Sequence, residues 1–124
     1  LHKDAEDKLR WNNLHPNSQQ KISFLEKCLK IENGPIIALS DYVKLVAEQI
    51  SPYINCPFVA LGTDGFGRSD TRDALRDFFE VNKYYITIAS INLLVKEKMT
   101  KKDNLSKAIK KYNIDVDKPN PISI

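Results

Sequence analysis

Two short apolar runs limit how this chain can fold. "PIIALS" (35–40) follows a Gly-Pro break, "FVALGT" (58–63) opens just after Pro57, and both are too short for a helix. Runs of this kind suit strands buried on both faces. Between them lies "DYVKLVAEQI", whose Tyr42, Leu45, Val46 and Ile50 form one helical stripe closed by Pro52. Ser40 is placed to cap that helix, with Asp41 in its first turn, where a negative charge suits the dipole. Strand, helix and strand make a parallel crossover, which calls for a sheet covered on both faces by helices. Two strands cannot complete such a sheet. Each keeps an unpaired edge, and three or more are needed for independent stability. The expected fold class is therefore α/β, an incomplete three-layer helix-sheet-helix domain with its first strands missing upstream.

The flanking text is helical. "HKDAEDKLRWNNLHP" reads as a polar helix ended by Pro16, because the residue before proline avoids the helical basin. Asn17 or Ser18 can cap a second helix with Ile22, Leu25, Cys28 and Leu29 on one face and Gly34 as its stop. After the second strand, Ser69 or Asp70 can cap a helix that turns Leu75, Phe78 and Phe79 inward. Asn82 caps segment 83–99, which is too long for a strand and reads as a helix buried nearly all round. Thr100 and Asp103 fit a capping box ahead of Leu105, Ala108, Ile109 and Tyr112 at helical spacing. One partial domain over 1–124 results. Its parts are leading helices (1–34), strand-helix-strand (35–63), glycine loop with three helices (64–112) and an irregular tail (113–124).

Charge and cysteine content exclude several functions. Residues 1–100 balance 13 basic against 13 acidic side chains, so the net +3 comes from six lysines and three aspartates in the last 24 residues. Those lysines alternate with helix-spaced apolar residues and no arginine joins them, which reads as a solvated face rather than a nucleic-acid patch. Cys28 and Cys56 have no metal-ligand or C-x-x-C spacing and read as reduced cytosolic thiols. "YYITIASINLLV" is too short and polar to span a bilayer, and no signal peptide is evident. The chain opens at Leu1 on a helical pattern and reads as a piece of something longer.

The stretch with most chemical promise is "GTDGFGRSD" (62–70). Gly62, Gly65 and Gly67 follow a strand, the side on which open α/β sheets take ligands. Amides near Ser69, with Arg68, could meet an anion. The spacing G-x-x-G-x-G reverses the dinucleotide fingerprint, and no G-K-[ST] follows. A structural turn is the favoured reading, with Phe66 as an anchor pressed into the core between glycines at positive φ. Asp64 bonds loop amides or pairs with Arg68 or Arg72, and Asp70 caps. His15 bonds a nearby backbone group and, like His2, lacks an oriented partner for catalysis. Trp11 with Arg10 serves equally well as an interface anchor or as core packing. No nucleophile-base arrangement or paired acid and base stands out.

"LGTDGFGRSDTRDALRDFFEV" closely resembles the C-terminal part of the bacterial homodimeric pyruvate dehydrogenase decarboxylase components, a family of transketolase-like thiamine diphosphate enzymes. "RWNNLHP" (10–16), "SDYVKLVAEQI" (40–50) and "NIDVDKPNP" (113–121) resemble the same family in the same order, and the weakest stretches are 17–33 and 96–111. The resemblance implies a transketolase C-terminal-domain-like fold within a larger cytoplasmic bacterial parent. That parent is implied to bind thiamine diphosphate and Mg2+ between its first two domains, decarboxylate pyruvate and reductively acetylate lipoyl groups of the dihydrolipoyl acetyltransferase component. Its catalytic residues belong to the other domains. None is carried over here, and no cofactor, metal, nucleic acid or membrane is expected to bind this segment. Its implied role is to support the remaining domains and the second subunit of a homodimer. The competing expectation is a small anion- or metabolite-binding regulatory module centred on Gly62, Asp64, Gly65, Phe66, Gly67, Arg68, Ser69 and Asp70.

Overall fold

The computed structural model of the chain describes residues 1–29 and 34–124. Helix α1, His2–Leu14, stops at His15, directly before Pro16. Helix α2, Phe24–Leu29, begins later than Asn17 or Ser18 would place it, and the reason is a better cap. Ser23 Oγ accepts the Glu26 N–H (3.2 Å), and Glu26 Oε2 takes both the Ser23 N–H (2.8 Å) and its hydroxyl (2.7 Å). This is the reciprocal box that S-x-x-E permits. The preceding segment is held out of the helix by Asn12, whose carboxamide bonds both the N–H and the C=O of Lys21. The later start leaves Ile22 and Cys28 exposed and buries Leu25. Residues 30–33, which lead up to the expected stop at Gly34, lie outside the described residues.

Asp4 ties α1 to α2. Its carboxylate accepts the Phe24 N–H (2.8 Å) and the Lys8 ammonium (3.0 Å). The Phe24 bond first and Lys8 second hold its carboxyl below the ordinary 3.8. A depressed folded-state value stabilises above the unfolded pKa and is lost as pH falls through the folded one. Amide protection at Phe24 is therefore expected to drop below about pH 4, with Asp4→Asn abolishing that dependence. Retained pH dependence in Asp4→Asn would assign the effect to another group.

Strands β1, Ile36–Leu39, and β2, Phe58–Leu61, pair in parallel from Ile36↔Phe58 to Leu39↔Leu61. They are the only two strands of the sheet among the described residues. Their crossover carries α3, Lys44–Glu48, and a 3-10 turn, Ser51–Tyr53. Helix α3 is half the length its apolar stripe suggests. Ser40 bonds the Tyr42 N–H (3.0 Å) in a local turn instead of capping, so Asp41 stays outside the helix.

Helices α4, Arg72–Phe78, α5, Lys83–Lys96, and α6, Lys102–Lys111, follow. Asn82 caps α5 through the Tyr84 and Tyr85 N–H groups, at 2.9 and 3.2 Å. The Thr100–Asp103 box does not form. Thr100 accepts from the Asn104 amide, and Asp103 pairs with Lys107 one turn on. All three helices end on a non-glycine residue at positive φ: Glu80 (61°), Lys98 (57°) and Asn113 (51°). After each, the next N–H reaches back five residues, Val81 to Arg76 O, Met99 to Leu94 O and Ile114 to Ile109 O. This left-handed cap ends α5 before 99. The tail is not wholly irregular, because Pro121–Ser123 forms a 3-10 turn in which Pro121 is buried.

Helix α5 packs on α6 and on both strands, yet only Leu93 along it is fully buried, so it is half-covered all round rather than enclosed. Fully buried apolar residues among those described are few and mostly small: Ala5, Leu25, Ala60, Val81, Leu93 and Ala108. The chain exposes 9081 Å², against about 6,800 Å² for a compact monomer of 14.2 kDa. That excess matches a two-stranded sheet with open edges.

Candidate functional site

The loop after β2 is built from close backbone approach. A Cβ on Gly62 would lie 2.5 Å from Tyr42 O and 2.8 Å from Lys44 N, so only glycine lets the strand end pass the start of α3. The contact is secured by Thr63, whose N–H reaches Tyr42 O (2.9 Å) and whose hydroxyl reaches Asp41 O (2.9 Å). Asp64 then supplies what Ser40 does not. Its Oδ1 accepts the Lys44 N–H (2.9 Å) and its Oδ2 lies 3.7 Å from Lys44 Nζ. It pairs with neither Arg68 nor Arg72, because packing offers it an uncapped helix start first. Asp64→Ala is expected to cost about 0.5–2 kcal/mol, the range for a lost N-cap. Amide exchange at Lys44–Glu48 in the full-length protein checks this, and unchanged protection there would remove the capping role.

Beyond Asp64 the loop departs from the sequence expectation. Gly65 has φ +107°, and a Cβ there would meet Pro121 O at 2.8 Å. Gly67 has open space and no positive φ. Phe66 is 79% exposed instead of anchoring the core. Its two flanking glycines permit the ring to turn either way, and the tail packs against Gly65. The Arg68 guanidinium stacks 4.1 Å from the Phe78 ring centre. Neither Ser69 nor Asp70 caps α4. Thr71 does, through the Ala74 N–H at 3.3 Å, and Asp70 takes the Thr71 N–H at 2.6 Å.

A cleft of about 300 Å³ opens beside the loop, lined by Asp41, Phe66, Arg68, Arg72, Arg76 and Phe79 among others. None of the four ion pairs among the described residues involves these three arginines. Trp11 and Arg10 sit on α1, and Trp11 belongs to a different cluster. The Trp11 indole stacks on His15 (4.2 Å between ring centres, 9° between planes), with Lys21 Nζ 4.0 Å over the ring. His15 Nδ1 meets Trp11 O at 2.8 Å.

Lys118 is the residue that sequence reasoning missed. Its ammonium donates to Asp77 O (2.8 Å) and Phe78 O (3.0 Å), the open carbonyl end of α4, and lies 3.8 Å from Glu80. It also sits 5.6 and 5.4 Å over the Phe78 and Tyr85 rings. Burial, and then Glu80, Asp77 and Asp115, push the Tyr85 phenol up from its ordinary value. Lys118 lies in the run "NIDVDKPNP", but no local pattern marks it as a cap, since a cation forty residues away caps a helix only after the chain has folded. Among the described residues no three His, Cys, Asp or Glu side chains gather as a metal set. No helix of the described residues is long and apolar enough to cross a membrane.

The family model of the transketolase-like TK C-terminal domain matches residues 11–82, spanning both strands, the glycine loop and α4. This chain belongs to that family. The chain is 48% identical, over all 124 residues, to the "Pyruvate dehydrogenase E1 component" of Cupriavidus necator. It is 51% and 41% identical over 122 residues, 98% of the chain, to proteins of that name from Buchnera aphidicola and Escherichia coli. In all three cases it spans 14% of the relative's length. A transketolase-like C-terminal domain agrees with the partial α/β sheet described above.

Proposed function

We propose that this chain is the C-terminal segment of a pyruvate dehydrogenase E1-type decarboxylase, in which it supports the fold and the homodimer without supplying catalytic residues. Identity of 41–51% along nearly the whole chain to relatives of that name carries the reading. The parent is a cytoplasmic bacterial enzyme that uses thiamine diphosphate and Mg2+ to decarboxylate pyruvate and reductively acetylate lipoyl groups on a dihydrolipoyl acetyltransferase. The cofactor-binding residues belong to its other domains, so no step of that chemistry is routed through the residues described here. The unfinished sheet and excess exposed surface support a segment whose partners are the rest of the subunit and a second subunit. A metabolite-binding module is the weaker reading, because Asp70 and Thr71 already take donors at the start of a short α4.

In the full-length protein, Arg68→Ala is expected to weaken dimerisation or thermal stability while pyruvate turnover at saturating cofactor stays within about twofold. Sedimentation and a pyruvate-dependent dye-reduction assay read the two effects separately. Outright loss of turnover in a pure, cofactor-loaded dimer would contradict the supporting role.

A further inference from the structure

Three exposed apolar side chains surround the glycine loop: Tyr42 (66%), Phe66 (79%) and Ile122 (54%). The backbone places them together, since Tyr42 O bonds the Thr63 N–H and Ile122 lies against Gly65. Beside them stand Arg68, Arg72 and Arg76, without a carboxylate partner among the described residues. Aromatic and arginine side chains around an apolar centre are the composition of a contact surface, and a patch of this kind marks a site that something covers.

We propose that the glycine loop is a plug: Phe66 inserts into an apolar socket on the remainder of the same polypeptide, and carboxylates at the socket rim meet Arg68, Arg72 and Arg76. The inference rests on the chain being part of a longer protein and names the surface through which it is held. Charge complementarity sets the rim, because three unpaired guanidiniums at one apolar site call for Asp or Glu opposite. Area and length set the source. The excess surface of roughly 2,300 Å² is far more than the about 800 Å² that one partner contributes to a standard interface. The relatives are about seven times longer than this chain, and a tethered socket acts at high effective concentration.

Photo-crosslinking in the full-length protein tests this, with p-benzoylphenylalanine replacing Phe66. The expected product is a cross-link within one polypeptide, mapped by mass spectrometry to an apolar peptide flanked by Asp or Glu. Its yield should fall about fivefold in the Arg72→Glu/Arg76→Glu variant and persist in Arg72→Lys/Arg76→Lys. As a second measurement, Phe66→Cys in a Cys28→Ser background should label about tenfold slower than Met99→Cys in the native protein. Cross-linked dimers would overturn the same-chain socket. A yield indifferent to charge reversal would overturn the carboxylate rim, and labelling as fast as at position 99 would overturn the plug. None of these readouts uses pyruvate turnover, so failure of the proposed activity would be seen separately.

Discussion

Gly62→Ala is expected to cost about 3 kcal/mol, the upper end for overpacking, although it adds a single methyl group. The methyl carbon would sit 2.5 Å from Tyr42 O, 2.8 Å from Lys44 N and 3.1 Å from Lys44 Cγ. Two of these are backbone atoms already committed. Tyr42 O accepts the Thr63 N–H, and the Lys44 N–H donates to Asp64. Relieving the clash means separating β2 from the start of α3 and breaking both bonds, which leaves polar groups unpaired in a part-buried place. Hydrogen exchange in the full-length protein should show protection lost together across Phe58–Leu61 and Lys44–Glu48. A variant within 1 kcal/mol of the parent would mean that this approach relaxes freely.

The second large effect is expected at Gly65. Gly65→Ala combines a backbone at φ +107°, which side-chain-bearing residues rarely adopt, with a methyl 2.8 Å from Pro121 O. The strain alone is worth about 1–3 kcal/mol, and the tail contact adds to it. Two ways of relieving it exist. The loop can flip, moving Phe66, or the tail can lift, withdrawing Lys118 from the carbonyl end of α4. Limited proteolysis within residues 113–124 by a broad-specificity protease reads the second, and faster cleavage there with unchanged exchange in β2 is the expected pattern. Gly67→Ala is the control. That glycine has open space and no positive φ, so a change within about 0.5 kcal/mol is expected. Equal effects at positions 65 and 67 would show that loop flexibility, rather than the tail contact, sets the cost.

Much of the fold was legible from local pattern. The two apolar runs became parallel strands, Asn82 capped α5, and the shortage of strands foresaw an unfinished sheet. The Ser23 cap has a local signal too, because "SFLE" carries the capping-box spacing, and it competes with the polar residues nearer Pro16. The helix ends at Glu80 and Lys98 were not legible, since neither residue favours a left-handed conformation and no glycine marks the stop. Phe66 faces outward although glycines flank it on both sides. Flanking glycines give a side chain freedom and say nothing of direction.

By itself the amino-acid sequence determined which segments are strand and helix, that the sheet would be incomplete, and which family the glycine loop signals. The first two depend on periodicity and on residues within about four positions of one another, and the third on the likeness of the quoted run to a known family. Tertiary structure decided who satisfies whom. Asp64 caps α3 from twenty residues away, Lys118 caps α4 from forty, and the tail packs against Gly65 while Phe66 faces outward. A helix end needs any donor or acceptor of the right sign within about 3 Å, and many residues qualify. Only packing brings one of them there.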